Sequence, residues 1–315
     1  MPLQLGIRYS PSPSSRLKIY RPPISSMGSS KRPECSSCSK PIRLCLCSRF
    51  KTPLFNNQIS VTILQHKQEM KHPLNTARIA NLGLKNITIA TASDVHLQAK
   101  FLIYLLKQGQ ESSKFSEEPD ITATMERCGF SVSLMKLKTC QNGMEKKPDF
   151  DLLLDTQIGK DAVFNGFVVK KLHNNQINGK YEFQETEEYN IVVPPRSVLL
   201  FPTKNSIQVE DVDFEVKNLI VLDGTWAKAR RMYYENPWLK LLPHLKLDMS
   251  KVSLYKEVRL QPKVGCVSTI ESIVAAMKAL GDNGEELDNL LDVFESMVVD
   301  QRRCKDERIS KLSET

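Results

Sequence analysis

At 315 residues the chain is long enough for one large or two small domains with a substantial core. Apolar content of 41% and charged content of 25% are ordinary for a water-soluble protein, and no apolar run approaches the roughly 18 residues a membrane span needs. The net charge of +8 favours an anionic partner, and the eight cysteines, four of them within thirteen residues, fit one metal site in a reducing compartment rather than a disulfide scaffold.

Residues 1–33 hold six Lys or Arg, eight Ser, six Pro and no acid. Such a leader reads either as an organelle transit peptide or as a plain disordered tail, and its prolines oppose the amphipathic helix of a mitochondrial signal. The expected compartment is the nucleus or cytoplasm, or a plastid or mitochondrion if the leader directs the chain there. Residues 34–58 form the next unit. Here Cys35-Ser-Ser-Cys38 and Cys45-Leu-Cys47 offer four thiolates at a spacing that can clamp one tetrahedral ion, although the second pair departs from common zinc-finger spacing. Incidental thiols are the alternative; four exposed cysteines would invite oxidation. A four-sulfur zinc site has no open position, so its expected role is structural.

The main domain is expected over 59–284. Ile59 to Leu64 reads as its first strand, delivering His66 and Lys67 and then Leu74-Asn75-Thr76-Ala77-Arg78 at a helix start. Lys85 to Thr91 reads as a second strand, and 94–108 as a helix with Phe101, Leu102, Leu105 and Leu106 on its apolar face. After a loose stretch from Gly109, another strand is expected at Asp149 to Asp155. Residues 160–193 read as a hairpin-like insertion hung on the domain.

Arg196 to Pro202 reads as a buried strand ending at a loop. Leu219-Ile-Val-Leu222 reads as the next, closed by Asp223-Gly224, with Thr225 placed to cap a basic helix running to about Leu242. An acid at the carboxyl end of a buried strand, beside a helix N-terminus, is a common ligand position in α/β folds, and equally an ordinary capping turn. Lys228, Arg230 and Arg231 on that helix suit a polyanion. A short strand is expected at Leu245 to Asp248. Tyr255 to Arg259 leads on to Ser268-Thr269-Ile-Glu271, a capping-box signature opening a helix over Ile273 to Leu280. One long helix is expected over 285–315, with Leu287, Leu290, Leu291, Phe294 and Val298 facing the core. Neither a dinucleotide-type glycine pattern nor a P-loop is present.

Asp223-Gly-Thr-Trp226, continued by Ala229-Arg230 and Asn236-Pro237-Trp238-Leu239, resembles the signature of the DTW-domain proteins, tRNA-uridine aminocarboxypropyltransferases related in fold to the SPOUT methyltransferases. The amino-terminal cysteine cluster, the Asn-Thr-x-Arg helix start and the Ser-Thr-x-Glu helix start are similar to that family's landmarks. The His-Pro pair is displaced from the strand end, so the carry-over there is to Thr76 and Arg78. The resemblance implies an α/β fold with a knotted, mostly parallel sheet flanked by helices. It also implies S-adenosylmethionine held among three strand-end loops, at Phe201-Pro202, Asp223 to Trp226, and Gly265 to Thr269.

The implied reaction moves the 3-amino-3-carboxypropyl group of S-adenosylmethionine to N3 of a tRNA uridine. Asp223 is expected either to take the N3 proton or to hold the amino group of the cofactor's methionine part. Trp226 is placed to stack on adenine or on the flipped-out uracil, and Thr225, Ser268 and Thr269 to donate to the cofactor carboxylate. Thr76, Arg78, Lys228, Arg230, Arg231 and Arg259 are the expected RNA contacts. The competing readings are a SPOUT-like RNA methyltransferase and a non-catalytic zinc-containing RNA-binding adaptor. No membrane and no obligate protein partner are expected.

Overall fold

The computed structural model describes residues 33–51, 54–107, 118–126, 129–134, 156–176, 183–248, 253–258 and 265–313. The basic leader up to residue 32, the strand expected at 149–155, and Arg259 lie outside the described residues.

The described strands are β1 (Ser60–His66), β2 (Ile87–Ala92), β3 (Gln98–Leu105), β4 (Ile121–Glu126), β5 (Gly129–Leu134), β6 (Phe167–Gln176), β7 (Phe183–Val193), β8 (Ser197–Leu200), β9 (Ile207–Gln208), β10 (Asn218–Asp223) and β11 (His244–Lys246). The helices are α1 (Ala77–Gly83), α2 (Gln157–Asn165), α3 (Trp226–Glu235), α4 (Thr269–Ala279) and α5 (Glu285–Ser313). Six strands form one sheet in the order β2-β1-β10-β8-β11-β9, and every pairing in it is parallel. The other five form an antiparallel sheet in the order β5-β4-β3-β6-β7.

Parallel strands must be covered on both faces, which is why β1 and β10 read as nearly continuous apolar runs. Alternate residues feed two cores. Val61, Ile63, Leu219 and Val221 pack with Ile79, Ile273, Met277 and Phe294 from α1, α4 and α5. Leu64 and Ile220 pack on the opposite side with Met232, Tyr233, Trp238, Phe101, Ile103 and Phe167. The antiparallel sheet is therefore part of the second cover. Each fully buried large apolar side chain contributes about 1.5–3 kcal/mol.

The helix expected over 94–108 is instead strand β3. Ala99, Phe101 and Ile103 are fully buried while Lys100, Leu102 and Tyr104 between them are partly exposed, a period of two rather than 3.6. In the strand Phe101 and Leu105 share one face and Leu102 lies on the other, while β4 and β6 flank its two edges. In the stretch expected as a hairpin, β6 and β7 pair, but β6 also bonds along β3, so the pair completes a sheet. Val163 and Phe164 fall in α2, whose cap is Thr156 accepting from the Gly159 amide. The basic helix stops at Glu235, short of Leu242, because Pro237 has no amide hydrogen to continue it; a 3-10 turn over Pro237–Leu241 follows.

That turn carries Trp238, which is fully buried. Its Nε1 donates to Tyr189 Oη at 2.9 Å, and Tyr189 Oη donates to Asn236 Oδ1 at 2.7 Å. Phe167 meets the indole edge-on at 6.0 Å between centroids. This one side chain pins the antiparallel sheet to the end of α3.

Candidate active site

Three chain segments converge at the carboxyl ends of the parallel strands: Phe201-Pro202 after β8, Asp223 to Trp226 after β10, and Gly265 to Thr269 leading into α4. All three line a single cavity of about 480 Å³. Glu69, Asn75 and Thr76, from the loop after β1, close another wall. The volume lies within the roughly 300–1,000 Å³ range of small-molecule sites.

Asp223 is buried at the cavity. Its Oδ2 accepts from Gln65 Nε2 at 2.7 Å and its Oδ1 accepts from Thr269 Oγ1 at 2.6 Å. Gln65 lies opposite Asp223 in the β1–β10 register, and the same amide group donates to Asn75 Oδ1 at 3.3 Å. Charge on a buried carboxylate is tolerable only with such donors. Asp223 is thus a fixed acidic floor, tied to the loop after β1 on one side and to the start of α4 on the other.

Thr225 caps α3, accepting from the Lys228 amide at 3.4 Å. Trp226 opens the helix and lines the cavity, with its ring 6.2 Å from that of Phe201. Phe201 stacks in turn on Tyr233, at 4.6 Å and 20°. This aromatic wall offers a flat, polarisable face to a planar ring. At Gly224 the backbone passes close to α3, where an added Cβ would sit 3.1 Å from Lys228 Cβ.

At the start of α4 the capping box forms: Glu271 accepts from the Ser268 amide at 2.7 Å and from its hydroxyl at 2.6 Å. Glu271 also accepts from Ser253 Oγ at 2.6 Å and from the Leu254 amide at 3.2 Å. The hydroxyls of Ser268 and Thr269, expected to donate to a ligand, are engaged by Glu271 and Asp223. The first-turn amides of α4 supply the positive end of a helix dipole there.

The expected RNA contacts divide. Thr76 is buried and lines the cavity. Arg78 is half-buried and donates from Nη2 to the Met70 carbonyl at 3.2 Å, which braces the loop. Lys228 Nζ pairs with the buried Glu69 at 2.9 Å. Arg231 pairs with Glu235 at 2.8 Å and with Asp94 at 3.3 Å. Arg230 is exposed on the outer face of α3.

Gln65, Glu69 and Asn75 were not singled out as site residues from the sequence. The available signal was polar side chains directly following a buried strand. His66, at the end of β1, is buried; its Nδ1 accepts from the Gln68 amide at 3.2 Å, and its Nε2 therefore bears the proton facing Asp94 Oδ1 at 3.0 Å. A second buried polar cluster lies in the antiparallel sheet, where Lys171 pairs with Glu188 at 2.8 Å and His173 bonds Glu188 at 2.9 Å. The amide and hydroxyl of Ser93 also donate to Glu188. Burial opposes ionisation of Glu188, but the hydrogen bond from His173 together with Lys171 and Ser93 outweighs it and holds the carboxyl down to about 2.

The four amino-terminal cysteines meet at one point, with all Sγ atoms within 4.8 Å of one another. Cys35 and Cys47 are 3.8 Å apart, and Cys38 and Cys45 are 3.7 Å apart. The first pair sits on a tight knuckle, closed by the Cys35 amide donating to Lys40 O at 2.7 Å and the Ser39 amide to Cys35 O at 2.8 Å. Ser39 takes a left-handed φ of 51° to make the turn. The amides of Cys38 and Ser37 donate to Cys35 Sγ and pull its thiol down to about 6, whereas burial pushes Cys47 up to about 12. Four sulfurs converging with amides aimed at one of them suit a soft or borderline divalent cation, and the cluster could hold one. Arg49 fastens the segment to α5 through Asp300 and Ser296.

The DTW domain family matches residues 32–302. The chain is 24% identical over 264 residues to tRNA-uridine aminocarboxypropyltransferase 2 of Drosophila melanogaster, covering 83% of this chain and 72% of that protein. It is 29% identical over 105 residues to tRNA-uridine aminocarboxypropyltransferase 2 of Mus musculus, and 30% identical over 93 residues to tRNA-uridine aminocarboxypropyltransferase A of Arabidopsis thaliana. These two matches cover 32% and 26% of this chain and 35% of each relative. No solved structure matches the chain. With the family matched over nearly all described residues and Asp223-Gly-Thr-Trp226 lining the central cavity, the chain belongs to the DTW domain family.

Proposed function

We propose that this chain is a tRNA-uridine aminocarboxypropyltransferase that uses S-adenosylmethionine as donor. The observation that carries the reading is the convergence of three strand-end loops and the buried Asp223 on one cavity of small-molecule size. The fly, mouse and plant relatives, named as tRNA-uridine aminocarboxypropyltransferases, support the same transfer to a tRNA uridine. The all-parallel sheet, in which β10 returns between β1 and β8, supports a SPOUT-like knotted arrangement of residues 59–284.

In this reading S-adenosylmethionine would supply an activated sulfonium: a bond forms from uridine N3 to the aminocarboxypropyl carbon as the carbon–sulfur bond breaks, methylthioadenosine leaves, and the N3 proton is released to water. The residues do the positioning, which is where most of the acceleration lies when the leaving group is already good. Trp226 and Phe201 offer the stacking wall. Asp223, immobilised by Gln65 and Thr269, is better suited to hold an ammonium than to swing as a base, because both its oxygens already accept hydrogen bonds. The first-turn amides of α4 face the ligand carboxylate. Arg230 is the exposed cation left to meet phosphate, while Lys228 and Arg231 reach it only by sharing their carboxylate partners. The four cysteines hold Zn²⁺ as a structural ion.

Calorimetric titration with S-adenosylmethionine in the absence of RNA tests the site. Binding that Asp223→Asn weakens by about tenfold or more supports the reading. A wild-type protein that binds none, while retaining tRNA, supports the non-catalytic adaptor instead.

A further inference from the structure

The loop from Glu69 to Thr76 forms one wall of the cavity, and it is held from outside through its carbonyl groups. Arg78 donates to Met70 O, Tyr255 Oη donates to Leu74 O, and Lys40 Nζ donates to Pro73 O. The third of these comes from the cysteine knuckle. Lys40 is two residues past Cys38, its own carbonyl closes the knuckle onto the Cys35 amide, and its side chain is buried at 7% exposure. Asn75, two residues past Pro73, bonds Gln65, and Gln65 bonds Asp223. An unbroken run of bonds therefore connects the cysteine centre to the acidic floor of the cavity.

We propose that Lys40 is a positioning residue through which metal occupancy of the Cys35, Cys38, Cys45 and Cys47 centre sets the shape of the cavity wall, and with it the affinity for the ligand. Spatial continuity alone is no warrant for coupling; a two-state element is needed. The knuckle is that element, because sulfur-ligated segments are ordered with metal and loosen without it. An ammonium leaves water only where an acceptor is rigidly presented. When the knuckle loosens, Lys40 returns to solvent, the Pro73 carbonyl loses its donor, and the wall carrying Glu69, Asn75 and Thr76 relaxes. Linkage is reciprocal, so a ligand in the cavity also tightens metal binding. That the ligand is S-adenosylmethionine rests on the function proposed above; the effect on the wall does not.

The test compares wild type with Lys40→Met, which keeps the chain length and removes the donor. The Glu69, His72 and Asn75 amides donate within the loop to the His66, Glu69 and His72 carbonyls, so their hydrogen exchange reports the wall directly. In zinc-loaded protein of unchanged zinc content and melting temperature, Lys40→Met is expected to exchange these amides about tenfold faster than wild type. Stripping zinc from wild type is expected to give the same acceleration, and stripping it from Lys40→Met to add nothing. S-adenosylmethionine is expected to bind Lys40→Met about tenfold more weakly, and to tighten zinc binding at equilibrium against a competing chelator in wild type only. Unchanged exchange in Lys40→Met, or full loop protection in zinc-free wild type, overturns the proposal. A wild type that binds no S-adenosylmethionine yet shows the exchange pattern overturns the assigned ligand and leaves the coupling standing.

Discussion

Gln65 and Asp223 stand opposite one another at the ends of adjacent parallel strands, joined by a hydrogen bond of 2.7 Å from amide to carboxylate. The pairing converts a β-register into a functional geometry, since the strands' own hydrogen bonds fix where the acid sits. Asp223→Ala is expected to reduce product formation by about two orders of magnitude or more, with the fold retained at a cost of about 1–3 kcal/mol for the donors left unpaired. Single-turnover rates alongside thermal melting check both parts. Near-wild-type turnover would remove Asp223 from the mechanism.

Gln65→Leu keeps the volume but leaves Asp223 Oδ2 without this donor. It is expected to weaken S-adenosylmethionine binding less than Asp223→Ala does, and the double variant to be no worse than Asp223→Ala alone, because the two groups act as one unit. Dissociation constants for the four proteins decide this; simple additivity contradicts it.

Glu188 makes stability depend on acid. Its folded value of about 2 lies below its ordinary 4.5, so its contribution is complete above pH 4.5 and is lost as pH falls towards 2. Glu188→Gln is expected to be less stable at neutral pH, by about 3–5 kcal/mol because Lys171 is left buried without its counter-charge. Its urea midpoint should also fall less steeply than that of wild type between pH 5 and pH 3. Parallel pH profiles for the two proteins would show that the carboxylate is not held down.

Cys38→Ser removes a sulfur that is fully buried in the core of the parallel sheet. Bound zinc per chain and melting temperature are expected to fall together, as is usual where metal binding and folding are coupled. Equal melting with and without metal would argue against a structural centre.

Arg230→Ala is expected to weaken tRNA binding at every sequence tested and to lower the salt slope by about one, leaving S-adenosylmethionine binding unchanged. Binding isotherms across a salt series check it. An unaltered slope would move the RNA surface away from this face of α3.

The strand ending at Asp223, the capping box at Ser268 and Glu271, the cysteine quartet and the long closing helix were legible because each is written in a local pattern. Strand β3 was not, because Phe101, Leu102, Leu105 and Leu106 satisfy a helical face on spacing alone. Pairing with β4 and with β6, the latter about seventy residues away, decides for a strand. Arg78, Lys228 and Arg231 looked like phosphate grips for a similar reason. A sequence displays charge but not the Met70 carbonyl or the Glu69, Asp94 and Glu235 carboxylates that occupy it. Gln65 gains meaning only from a register between strands, and Asn75 from the fold of the loop that brings it to Gln65.

The most direct test incubates purified protein with tRNA and S-adenosylmethionine and measures the nucleosides by mass spectrometry. Wild type is expected to add the aminocarboxypropyl mass to a uridine, and Asp223→Ala to add none. Methyl addition, or unmodified uridine with active donor and intact tRNA, would contradict the account.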